Sequence, residues 1–93
     1  MTYLILRSSA FVRDTRRLQR RQPEFANTLL ETFRLLEHDP YAPALKAHKL
    51  KGKLKTSWAC SAGYDLRIVF SFTRYEGKPA LLLESIGTHD DVY

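Results

Sequence analysis

Cysteine is almost missing from this chain. Cys60 stands alone among 93 residues, so no internal disulfide can form and a disulfide-stapled secreted scaffold is excluded. Cys60 also lacks a second Cys or a His at ligand spacing, and it is expected to be an inert, part-buried thiol. Long apolar runs are missing too. The opening Tyr3-Leu4-Ile5-Leu6 is interrupted by Arg7, too short for a signal-peptide core or a membrane span. A cytoplasmic chain with no membrane partner is expected. Glycine and proline number four each, and 44% hydrophobic with 27% charged residues is an ordinary globular balance, which argues against disorder or low complexity. With no repeat and no break in composition, residues 1–93 are expected to form a single domain around one core.

Acid is what the middle of the chain lacks. Lys46, Lys49, Lys51, Lys53 and Lys55 fall within ten residues that contain no Asp or Glu, and the whole chain carries +5. A surface of that sign suits a polyanion or an acidic protein partner.

The remaining pattern is mixed. Residues 2–7 are short and β-rich, an opening or edge strand. Ser8 and Ser9 supply N-cap chemistry for a helix with Phe11, Val12 and Leu18 on one face and Arg13, Arg16, Arg17, Arg20 and Arg21 on the other. Pro23 is placed to open a second helix, whose stripe is Phe25, Leu29, Phe33 and Leu36 and whose end is set by Asp39-Pro40. Strand-like runs follow at Ser57–Ser61, Tyr64–Phe72 and Ala80–Ile86, with turns at Ala62-Gly63 and Tyr75–Pro79. The expected fold is α+β: an N-terminal strand, an antiparallel helical hairpin, then a three-strand antiparallel meander completing a four-stranded sheet.

Alternation turns Leu66, Ile68, Phe70 and Phe72 toward the helices and leaves Asp65, Arg67 and Val69 on the opposite face. Singly, the polar residues have ordinary explanations: a solvated lysine face, an ion pair of Arg67 with Asp65 or Glu84, a capping His89. Together they match one chemistry. A phosphodiester cleaved by its own ribose 2′-hydroxyl needs a base for that hydroxyl, cations for the charge growing on phosphorus, and an acid for the leaving 5′-oxygen. Histidine is the side chain suited to such proton transfer, and His48 and His89 supply two; Arg67 and the lysines can hold phosphate, and an aromatic next to the site can stack a base. No closely placed set of His, Cys and carboxylate ligands calls for a metal, and no cofactor is expected.

Three segments in this order carry a family resemblance: His48-Lys49-Leu50-Lys51-Gly52-Lys53-Leu54-Lys55, Trp58 through Gly63-Tyr64-Asp65-Leu66-Arg67-Ile68-Val69-Phe70, and Ile86-Gly87-Thr88-His89-Asp90-Asp91-Val92-Tyr93. They resemble the RelE/ParE toxin superfamily, closest to its YafQ-like branch, over nearly the whole chain. The resemblance implies the toxin of a type II toxin–antitoxin pair that cuts mRNA in the decoding site of the 70S ribosome without metal. It implies acid–base or substrate-orienting roles for His48, Asp65, His89 and Tyr93, a phosphate contact for Arg67, and active-site lysines at Lys53 and Lys55. Lys49, Lys51, Arg16 and Arg20 would add grip on RNA backbone. The implied partner is a cognate acidic antitoxin, in a hetero-oligomer with the toxin. The chain departs from the YafQ-like pattern at Ser61, Leu66 and Ser85, where a histidine, a tryptophan and an arginine are usual. Rival expectations of the same fold are a ParE-like gyrase inhibitor and a non-catalytic ribosome- or RNA-binding module.

Overall fold

The computed structural model describes residues 2–51, 56–63 and 65–88. Of the residues singled out above, Lys53, Lys55, His89 and Tyr93 lie outside them. Strand β1 (Leu4–Arg7) leads through Ser8 into helix α1 (Ser9–Arg21) and helix α2 (Phe25–His38). After a short 3-10 turn at Pro43–Leu45 come strands β2 (His48–Lys49), β3 (Trp58–Ser61), β4 (Leu66–Tyr75) and β5 (Lys78–Thr88).

Ser8 is the junction on which the N-terminal half turns. Its backbone is extended and its hydroxyl accepts from Phe11 N at 3.0 Å, capping α1. The same hydroxyl donates to Glu84 O at 3.0 Å, and Ser8 N donates to Leu83 O at 3.0 Å, so β1 leaves the sheet already bonded to β5. Arg20 and Arg21 occupy the last turn of α1, where cations complement the helix dipole.

The second helix starts later than Pro23. Phe25 N and Ala26 N donate to Gln22 O and Pro23 O at 3.1 Å each, so Pro23 and Glu24 form a tight three-residue-spaced turn ahead of the first helical residue. The predicted stripe is otherwise present. Leu29 and Leu36 are buried, and Phe33 is half-buried against Phe11 (centroids 6.1 Å apart) with the Arg7 guanidinium 5.3 Å above its ring.

The sheet order is β1-β5-β4-β3-β2, with β1 parallel to β5 and every other pairing antiparallel. The fold is therefore α+β as expected, but the sheet is mixed and has five strands rather than four. The addition is β2, whose His48 and Lys49 pair with Ala59 and Trp58. It carries no apolar alternation because both side chains are exposed on an edge, so hydrophobic periodicity cannot announce it.

Both helices pack on one face. Phe11, Leu29 and Leu36 meet Leu66, Ile68, Phe70, Leu81, Leu83 and Ile86 in the core. Beside this core Tyr41 stacks on Phe72 (5.6 Å, 18°) and meets Trp58 edge-on at 5.7 Å, so Trp58 is a rim aromatic of the core. Cys60 is fully buried, and burial pushes its thiol up to about 12. The hairpin between β4 and β5 turns on Glu76 (φ 51°) and Gly77 (φ 79°), two left-handed residues in the two-residue loop that suits the sheet's twist. Among the described residues no helix is long and apolar enough to cross a membrane.

Candidate active face of the sheet

With Ile68, Phe70 and Cys60 turned to the helices, the alternate residues face the other way. The ladder sets them in rows across the strands. Gly87, Arg67 and Ser61 form one row of partners, and Ser85, Val69, Ala59 and His48 form the next. His48 on β2 and Arg67 on β4 thus share a face, two strands and two residues apart, or roughly 12 Å between backbones by standard strand spacings. Arg67 is half-buried and donates to Leu66 O at 3.0 Å. Among the described residues it makes no ion pair; the pairs present are Asp14 with Arg13 (3.3 Å) and with Arg17 (3.7 Å). His48 is exposed, and its Nδ1–H donates to Lys46 O at 3.3 Å.

Asp65 sits differently from the alternation argument. Strand β4 begins at Leu66, and Asp65 occupies the exposed bend before it, so the shared face with Arg67 does not extend to it by strand geometry. The preceding turn is tight: Gly63 has φ 92°, and a Cβ there would meet Thr28 Cγ2 at 2.9 Å. Leu66, where the YafQ-like pattern has tryptophan, is 1% exposed in the core. The other two departures, Ser61 and Ser85, lie on the active face in the rows of Arg67 and Val69.

Among the described residues the basic side chains do not form one patch. Lys49 pairs across from the core-packed Trp58, so it lies on the other side of β2 from His48; Lys51 is exposed just beyond. Arg16 and Arg20 belong to the helix layer, along a groove with Ser9 and Val12, and the structure does not bring them to the active face. The α1 arginines nearest that face are Arg17 and Arg21. They line a groove of about 610 Å³ with Ser85 and Gly87, at the end of β5 that runs on to His89. The sequence reading selected Arg16 and Arg20 from the arginine face of α1; only the direction in which the helix crosses β5 separates them from Arg17 and Arg21. It offered Glu84 as an ion-pair partner of Arg67 and passed over Ser57, whose hydroxyl donates to the Glu84 carboxylate at 2.8 Å. Among the described residues no three His, Cys, Asp or Glu side chains group as a metal site.

Residues 3–93 match the family described as bacterial toxin of type II toxin-antitoxin system, YafQ. Solved structures agree in fold. YafQ from E. coli strain BL21(DE3) superposes with a TM-score of 0.79 at 22% identity, covering 98% of each chain. The toxin chain of the E. coli DinJ-YafQ toxin-antitoxin complex gives 0.77 at 22% identity, covering 100% of this chain and 99% of that one. A YoeB/ParE toxin from Agrobacterium tumefaciens gives 0.77 at 17% identity, covering 92% and 98%. Comparison with the curated proteins finds no match. The chain belongs to the YafQ family of type II toxin–antitoxin toxins.

Proposed function

We propose that this toxin is an endoribonuclease that cuts mRNA on the ribosome, without metal, by attack of the ribose 2′-hydroxyl on the adjacent phosphorus. The observation that carries the proposal is the row Gly87–Arg67–Ser61 beside the row holding His48. It presents a half-buried guanidinium and an exposed imidazole on one sheet face, with the buried Val69 and Ala59 in the row of His48, next to the strand end that continues into His89. Arg67, with the lysines of the 46–55 segment, stabilises the negative charge of the pentavalent phosphorus. His48 or Asp65 takes the 2′-hydroxyl proton as the new P–O bond forms. His89 protonates the 5′-oxygen as its bond to phosphorus breaks, and Tyr93 orients the base or phosphate. The products are a 2′,3′-cyclic phosphate and a 5′-hydroxyl.

The proposal extends to partners. DinJ accompanies YafQ in the E. coli complex, and for this chain a cognate acidic antitoxin, in a hetero-oligomer with the toxin in the cytoplasm, fits the +5 charge. The deciding experiment is inducible expression of the wild type and of His89→Ala, with 5′-end mapping of cellular mRNA and a plasmid supercoiling assay in parallel. New 5′ ends that vanish in the variant are expected. Growth arrest with intact mRNA would leave a non-catalytic ribosome binder, and lost supercoiling with intact mRNA would leave a gyrase inhibitor.

A further inference from the structure

Strand β5 carries an irregularity that the nuclease proposal does not use. Val69 pairs with Ser85 and Phe70 with Leu83, so Glu84 is an extra residue bulged out of the ladder. Both ends of Glu84 are held. Its carbonyl accepts from the Ser8 hydroxyl at 3.0 Å, and its Oε1 accepts from the Ser57 hydroxyl at 2.8 Å. Ser57 lies just before β3, and β4 runs between β3 and β5. The Glu84 side chain therefore reaches over β4 to the Ser57 hydroxyl, the two side chains and their bond together bridging two strand spacings or about 10 Å. It does so on the active face, because the neighbouring Trp58, Phe70 and Leu83 turn to the core.

Ser57 is 3% exposed and is the point at which the chain returns from the lysine-rich segment. Its carbonyl also accepts from Leu50 N at 2.9 Å. Strand β2 has only two residues, and among the described residues its sheet pairing is to β3, so a further bond beside it adds to its hold. The bonds Ser8–Glu84–Ser57–Leu50 form a continuous tie from the cap of α1 to the strand that carries His48. A carboxylate on a face that receives RNA weakens binding by its charge alone, so its placement there calls for a compensating role.

We infer that Glu84 is a positioning residue of the nuclease face, fixing strand β2 with His48 relative to the end of β5 through its bond to Ser57. The functional consequence rests on the nuclease proposal; the tie itself does not. Three variants separate the effects: Glu84→Gln keeps the acceptor and drops the charge, Glu84→Ala drops both, and Ser57→Ala drops the donor and keeps the charge. The readouts are amide exchange at Leu50, binding of an uncleavable 2′-O-methyl RNA oligonucleotide, and KM and kcat on ribosome-bound mRNA. Glu84→Ala and Ser57→Ala are expected to speed Leu50 exchange by about five- to tenfold, the worth of one hydrogen bond. They should weaken oligonucleotide binding and raise KM by a similar factor, with kcat changed less. Glu84→Gln should keep wild-type exchange and bind RNA as tightly or more so. Tighter RNA binding by Glu84→Ala with unchanged Leu50 exchange would overturn the inference, leaving Glu84 a plain surface charge. Glu84→Gln behaving like Glu84→Ala would overturn it as well. If the wild type cuts no RNA, exchange and oligonucleotide binding still decide the matter. Ser57→Thr, which keeps the hydroxyl, is expected to match the wild type and so guards against a general loss of folding.

Discussion

Replacing Ser8 by Ala removes one hydroxyl and two hydrogen bonds. The first caps α1 at Phe11 N; the second holds Glu84 O at the bulge, each at 3.0 Å. Losing an N-cap costs about 1 kcal/mol, and losing a part-buried hydrogen bond about 1 kcal/mol more. Ser8→Ala should therefore destabilise the fold by about 2 kcal/mol, which for a domain of this size lowers Tm by about 8–16 °C. Ser8→Asp divides the sum, because a carboxylate can accept from Phe11 N and favours the helix N-terminus but has no proton for Glu84 O. It should recover about half of the loss. Urea titration measures both variants, provided the m-value stays constant. A Ser8→Ala loss below about 0.5 kcal/mol would refute the junction role assigned to Ser8, since that is the lower limit for a cap alone. Full recovery by Ser8→Asp would show that the Glu84 bond contributes nothing.

Gly77 has φ 79° with open space around its absent Cβ, so Gly77→Ala should cost about 1–2 kcal/mol from backbone strain alone, and Glu76→Asn should stabilise the same turn; denaturant midpoints check both. The Cys60 thiol has a folded pKa of about 12 against 9.0 in the unfolded chain. The unfolded state then releases a proton that the native state keeps, and stability falls as pH rises between those values, by at most about 1.4 kcal/mol per unit. Comparing wild type with Cys60→Ala from pH 8 to 11 should show that slope in the wild type only. Arg67→Ala should lower kcat for mRNA cleavage by about 10²–10³-fold while leaving the unfolding midpoint nearly unchanged, because Arg67 has no ion pair among the described residues; wild-type kcat would remove it from the site.

The unequal legibility of the chain has physical causes. Periodicity found α2 and the meander because their apolar stripes face one core, and Ser8 was legible as a cap because its chemistry is local. The start of α2 was misplaced since proline fixes its own φ but not where i to i+4 bonding begins. Strand β2 was missed because an exposed two-residue edge has no apolar signature. The Glu84–Ser57 bond was invisible because 27 residues separate its partners and only the order of the sheet closes that distance.

Composition and pattern alone determined a basic α+β chain without disulfides, with Arg67 turned away from the core, since charge, alternation and capping are properties of near neighbours. Which residues share the candidate face was decided by tertiary structure. The ladder put His48 in the row beside Arg67, and the packing of α1 left Arg16 and Arg20 on the helix layer and brought Arg17 and Arg21 to the groove by β5. Strand register is a relation between distant segments, and it exists only once the core has closed.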